Sequence, residues 1–187
     1  MEDLFKQILT ESASVKSAMA ADAKLLGSIA SAAKVILDTV SRGGRIYTCG
    51  NGGSACDAMH FVEELVARYK GERPGIAAHH LVDPSTLSCW ANDYSFASVF
   101  ERQVETFCTS NDLLVLFSTS GNSENIIRAI EAAKKSSTPT LGLLGKGGGK
   151  AKALCEYSIV IPSNDTARIQ EAHITLVHAF CEILEQS

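Results

Sequence analysis

Two short stretches concentrate glycine and hydroxyl groups between an apolar run and a helical one: Cys49-Gly50-Asn51-Gly52-Gly53-Ser54 and Ser118-Thr119-Ser120-Gly121-Asn122-Ser123. In the first, glycine permits positive φ and lets an oxyanion come close to main-chain N–H groups. The unpaired N–H groups and dipole of the helix start that follows favour a phosphate. Three glycines among four residues exceed what a plain strand-to-helix turn needs. In the second stretch, four hydroxyls in six residues offer donors without adding positive charge. Helix capping would use one of them, or two, but not four. A dinucleotide site is the competing reading of the first stretch, because Gly50-x-Gly52-x-x-Ala55 fits Gly-x-Gly-x-x-Gly/Ala. That fingerprint also wants an acidic residue about 20 positions on. Here the position falls at Glu72, inside Lys70-Gly71-Glu72-Arg73-Pro74, a loop rather than a strand end. The match is weak.

Acid/base or metal chemistry has a second set of residues. His60 and Glu64 stand four apart in a helical run, hence one turn apart on one face. Such a pair can share a metal or supply a proton-transfer group, and alone it is also an ordinary surface pair. Near the C-terminus lie Gln170, Glu171, His173 and His178. Glu171 and His178 share a helical stripe, while Gln170 and His178 are offset by about 80° and can still converge on a site beside the helix. Together these put a carboxylate, two imidazoles and an amide within reach of two anion cradles.

The elements that must position these groups are legible in outline. Residues 1 to about 42 read as helix, in two pieces, with Leu4, Ile8, Val15, Met19, Leu25, Ile29, Ala33 and Ile36 at helical spacing and Gly43-Gly44 as the stop. Its apolar face packs on the chain's own core or forms a helical oligomer interface; sequence alone does not separate the two. Strands are expected at Arg45–Cys49, Ala77–Val82, Leu113–Phe117, Thr140–Leu144 and Tyr157–Ile161. Helices are expected from the first glycine loop to about Tyr69, from Ser85, and over Phe96–Cys108, Ser123–Lys135 and Thr166–Glu185. The continuous apolar run at Leu113 marks a strand buried on both faces, and β–α alternation implies an α/β fold with a parallel sheet between helices. No linker or repeat interrupts the chain, so one domain is expected over 1–187, a helical segment (1–42) followed by an α/β core (45–187).

Totals narrow the function. The 187 residues are 45% hydrophobic and 20% charged with a net charge of −4, values of an ordinary globular chain. That balance argues against nucleic-acid or anionic-membrane binding, so an anionic substrate must be held by local devices. No apolar stretch is long enough to span a bilayer, and the start Met1-Glu2-Asp3-Leu4 lacks a basic leader. The six cysteines include no Cys-x-x-Cys pair and mostly sit in apolar runs, which reads as reduced core thiols and a cytoplasmic address.

Taken together, Cys-Gly-Asn-Gly-Gly-Ser, Asp57-Ala58-Met59-His60-Phe61-x-Glu63-Glu64-Leu65, Asn92-Asp93, Ser-Thr-Ser-Gly-Asn-Ser and Arg168-Ile169-Gln170-Glu171-x-His173 resemble the sugar isomerase (SIS) domain family. More narrowly, they resemble its phosphoheptose isomerases, over nearly the whole chain. The resemblance implies a three-layer αβα sandwich, flavodoxin-like, with a five-stranded parallel sheet, assembled as a homotetramer with active sites at subunit interfaces. It implies conversion of sedoheptulose 7-phosphate to D-glycero-D-manno-heptose 7-phosphate, toward the heptose of lipopolysaccharide or other surface glycans. By likeness, Asn51, Gly52, Gly53, Ser54, Glu64, Asn92, Asp93 and Gln170 contact substrate, and Ser118, Thr119, Ser120 and Ser123 hold the phosphate. His60, Glu64, Gln170 and His178 form a zinc set, one ion per subunit. Glu64 and His178 are also the acid/base pair, expected to meet across a subunit boundary; since Glu64 cannot easily be ligand and base at once, a modulatory metal is the alternative. His173 has no role in the pattern, and its replacement is expected to cost little. The chain departs from members with Asp directly before the arginine, carrying Thr166-Ala167 before Arg168, which bears on fine substrate positioning. Non-enzymatic relatives that bind a sugar phosphate or a replication initiator share the Ala-Arg-Ile-Gln-Glu segment but resemble this chain less at His60, Glu64 and His178.

Overall fold

The computed structural model describes residues 1–186. Two helices come first, Glu2–Ala21 (α1) and Ala23–Ser41 (α2). Asp22 separates them: its backbone is extended, and its carboxylate accepts from the N–H groups of Lys24 and Leu25, which caps α2. There follow strand Ile46–Gly50 (β1), helix Gly53–Val66 (α3), strand Ala78–His80 (β2), and helices Pro84–Asp93 (α4) and Val99–Phe107 (α5). Strand Leu113–Ser118 (β3), helix Glu124–Lys135 (α6), strand Thr140–Leu144 (β4), short helix Ala151–Leu154 (α7), strand Tyr157–Val160 (β5) and helix Thr166–Glu185 (α8) complete the described chain.

The strands form a five-stranded sheet in the order β2-β1-β3-β4-β5, parallel at every pairing. Because parallel strands need crossover helices, both faces are covered, and β1, β3 and β4 are buried at every residue. One face sets Ile46, Val115, Phe117 and Leu143 against α2, α3 and α8, through Ile36, Phe61, Val177 and Phe180. The other sets Tyr47, Cys49, Leu114 and Leu116 against α5 and α6, through Phe100, Val104, Ile126 and Ile130. The α/β fold with preceding helices is as the sequence predicts.

The order of strands matters for function. From β1 the chain goes first to one side (β2) and later to the other (β3), so the loops leaving β1 and β3 part company. A crevice at the carboxyl ends of the strands opens at such a reversal. Gly50 pairs with Phe117 across it, so the two glycine–hydroxyl loops emerge side by side.

Several boundaries move from the sequence reading. Helix α3 stops at Val66 rather than near Tyr69, because Arg73 folds back and donates to the carbonyls of Glu64 and Leu65. The edge strand β2 keeps three residues of the expected Ala77–Val82, pairing on one side alone. Phe96–Ser98 is a 3-10 turn before α5, and the four-residue α7 was not expected, being too short to show a period. The cysteine expectation is corrected in part. Cys49, Cys108 and Cys181 are buried free thiols, but Cys155 is half-buried and Cys56 and Cys89 are exposed. Among the described residues, no helix is long and apolar enough to cross a membrane.

Candidate active site

Both glycine–hydroxyl loops are built to present donors. After β1, Gly52 (φ +57°) occupies the N-cap of α3 with no side-chain cap. The N–H groups of Ser54 and Ala55 bond back to Asn51 and Gly52, while those of Gly52 and Gly53 bond nothing among the described residues. These face the helix start, where an anion is favoured. Ser54 is enclosed where α3 begins, at 3% exposure. Gly53 allows a close approach: a Cβ there would sit 2.6 Å from the Gln170 amide nitrogen, so α8 brings the Gln170 carboxamide onto the first residue of α3.

Ser118 ends β3 buried, and its Oγ accepts from the Gly121 N–H at 3.0 Å. Ser120 Oγ accepts from the Asn122 N–H at 3.2 Å. Ser123 stands at the N-cap of α6, yet its hydroxyl makes no capping bond. The expectation that capping consumes a hydroxyl of this loop is therefore corrected, and Ser123 stays available beside Thr119. The two loops are tied together by Asn51 and the buried Asn125, whose amides exchange two hydrogen bonds of 2.9 Å each. Asn51 thus acts as a brace, a role its expected place in substrate contact did not suggest, and Asn125 was missed although it follows Ser123-Glu124 on the first turn of α6.

Beside the loops, α3 and α8 pack together and converge their titratable groups. Donor atoms of His60, Glu64 and His178 all lie within 4.8 Å of one another. His60 Nε2 is 3.1 Å from Glu64 Oε1, and the His60 and His178 rings meet edge to face at 5.2 Å. The chain that turns out of α3 lays the Tyr69 ring on His178, at 5.6 Å and 27°. The sequence marks Arg73 only as a loop residue and Tyr69 only as a helix end; no local period marks a residue that works by folding back. Asp57, one turn before His60, is buried, its Oδ2 bonds nothing, and burial raises its carboxyl to about 6 against the opposing pull of His60. The expectation that Glu64 and His178 meet across a subunit boundary is corrected: one chain assembles the pair, because α3 and α8 are neighbours on the same sheet face.

Two imidazoles and a carboxylate in one cluster are the donor set of a zinc-type site, so the residues fit such an ion. Gln170 reaches α3 at Gly53, seven residues before His60, which is about two helical turns. Asn92 and Asp93 lie exposed at the end of α4 and bond each other at 2.8 Å, with no hydrogen bond to either loop. His173, given no catalytic role, is fully buried: its Nε2 lies 3.3 Å from the Leu144 carbonyl, and burial lowers it to about 4.

A parallel sheet with paired anion loops at its switch point, and a carboxylate–imidazole cluster beside them, defines a SIS-domain protein. The SIS domain model matches residues 11–145, and the chain belongs to that family. Curated relatives that it resembles at 44–49% identity are named phosphoheptose isomerases. The chain is 45% identical over 186 residues to that of Vibrio cholerae, covering 99% of this chain and 97% of the relative. With the Campylobacter jejuni enzyme it shares 48% over 163 residues, 87% and 88% of the two chains. The solved phosphoheptose isomerases of Francisella tularensis (TM-score 0.94, 33% identity, 99% and 98% covered) and Neisseria gonorrhoeae (0.92, 36%, 100% and 99%) share its fold from end to end.

Proposed function

We propose that the chain is a ketose–aldose isomerase that converts sedoheptulose 7-phosphate to D-glycero-D-manno-heptose 7-phosphate. The observation that carries this is the Glu64–His178 pair, within 4.8 Å and beside two phosphate-type loops, in a chain whose relatives bear that enzyme's name. Those relatives also favour it over the non-catalytic, initiator-binding alternative. The reaction moves a proton between adjacent carbons through an enediolate and needs one group for the carbon-bound proton and another for the oxygens. Glu64, with 13% side-chain exposure, takes the carbon proton; His178, held by the Tyr69 ring, opens the sugar ring and shuttles protons between oxygens.

The remote phosphate is bound by Ser118, Thr119, Ser120 and Ser123, with Ser54 nearby, and the sugar by Asn51, Gly52, Gly53, Asn92, Asp93 and Gln170. Binding energy at the phosphate end orients the reacting carbons. His60, Glu64, Gln170 and His178 would hold a zinc ion, which when bound supplies polarisation of a carbonyl or steadies an enediolate; with Glu64 as base its role is modulatory. The unit acts as a single SIS domain over 1–187 in a cytoplasmic homotetramer, its product feeding heptose of lipopolysaccharide or another surface glycan. Incubation with sedoheptulose 7-phosphate, following aldoheptose phosphate, tests the proposal. Phosphate-ester binding with no turnover would replace it with the binding-module reading.

A further inference from the structure

A third glycine-rich turn, Gly145-Lys146-Gly147-Gly148-Gly149, leaves β4 and lies against the Ser118–Ser123 loop, backbone on backbone. Gly121 has φ +62°, and a Cβ there would fall 2.0 Å from the Gly148 carbonyl oxygen; one on Gly149 would fall 2.4 Å from that of Ser120. Neither position has room for a side chain. The Ala151 N–H donates to the Gly121 carbonyl at 2.9 Å. Asn122 completes the join. Its Nδ2 donates to the Ser120 carbonyl at 3.1 Å, and its Oδ1 accepts from the Lys150 N–H at 3.0 Å. One carboxamide therefore spans the two turns with both ends used.

This join fixes the polarity of the hydroxyls. Ser118 and Ser120 each accept a main-chain N–H, from Gly121 and Asn122. A hydroxyl oxygen engaged as acceptor in this way has its own proton left to give, and an oxyanion is the partner such a proton suits. Both N–H donors belong to the segment that Asn122 and the glycine turn hold in place. We propose that Asn122, backed by Gly148 and Gly149, is a positioning element of the phosphate cradle, setting Ser118 and Ser120 as outward donors. This rests on the assignment of those serines to the phosphate. In this role Asn122 bonds within the two turns and makes no bond to Glu64 or His178, so its effect is read in phosphate affinity and KM.

The test uses Asn122→Ala, which removes both bonds, and Asn122→Asp, which keeps the acceptor for Lys150 but turns an oxygen toward the Ser120 carbonyl. Gly149→Ala, which forces a methyl onto that carbonyl, is a third variant; should it fail to fold, the two Asn122 variants decide, since Asn122 is exposed. The dissociation constant for inorganic phosphate, by calorimetry, and KM for sedoheptulose 7-phosphate should rise together by about 5- to 10-fold. At the same time kcat should change by less than about threefold. Wild-type phosphate affinity and KM in folded Asn122 variants would overturn the proposal, as would a loss confined to kcat. Ser120→Ala measured alongside separates the two layers. If it leaves phosphate affinity unchanged, together with Ser118→Ala and Ser123→Ala, the phosphate assignment itself fails; if it weakens phosphate binding while the Asn122 variants do not, only the positioning role fails.

Discussion

In the proposed reaction Glu64 carries the largest chemical burden, and its surroundings suit that role. Its side chain is 13% exposed, one turn from His60 and beside His178, a setting in which a carboxylate can serve a bound substrate without being open to bulk water. Glu64→Gln keeps the shape and should keep phosphate binding while losing turnover by about 10²–10⁴-fold. Exchange of solvent deuterium into the carbon alpha to the carbonyl reports the step directly: surviving exchange at the wild-type rate would assign the base elsewhere. For the phosphate, Ser120→Ala removes a hydrogen bond to a charged group worth roughly 1.5–3 kcal/mol. Weaker sugar-phosphate affinity in Ser118, Ser120 or Ser123 alanine variants is the expected result, and unchanged affinity in all three would refute the placement. These residues were legible because glycine and hydroxyl density is a local signal. Asn125, Tyr69 and Arg73 were not, because each acts through a partner more than seventy residues distant or by reversing the chain.

Among the elements, α8 keeps its expected bounds, Thr166–Glu185. Periodicity locates the helix but not which stripe faces the sheet, and neither it nor the family likeness gives His173 a catalytic role. The residue is sealed under α8 against the end of β4, with Nδ1 unpartnered. Burial holds the folded imidazole near 4, below its ordinary 6.5. As pH falls below 6.5 the unfolded chain takes up a proton that the folded chain refuses until about pH 4. Stability is therefore intact above 6.5 and declines between those values, by up to about 3 kcal/mol. Urea unfolding from pH 7 to pH 4 should show a steeper decline for wild type than for His173→Gln, whose neutral side chain does not titrate. Parallel curves would contradict the burial argument. The edge strand β2 and helix α7 were the other poorly legible elements, both too short for a period to register.

For the whole molecule, the order of strands does what no motif could: it places the loops after β1 and β3 together at the switch point. Chain alternation predicts a parallel sheet but leaves its order open, so the adjacency of the two loops needed the structure. Helix α1 adds a second whole-molecule feature, with Leu4, Phe5 and Leu9 between 59% and 69% exposed. An apolar stripe of that kind fits burial against other subunits. Light scattering should give four times the 19.9 kDa of one chain, and full activity at the mass of one chain would refute the tetramer.

Isomerisation of a ketose phosphate through proton transfer at Glu64 and His178 leaves an isotopic signature. NMR of the purified protein with sedoheptulose 7-phosphate in deuterium oxide tests it most directly. Wild type should form D-glycero-D-manno-heptose 7-phosphate carrying deuterium at C2, and Glu64→Gln should strongly suppress it. A folded wild-type protein that binds the ketose phosphate yet forms no aldose and exchanges no carbon-bound proton would contradict it.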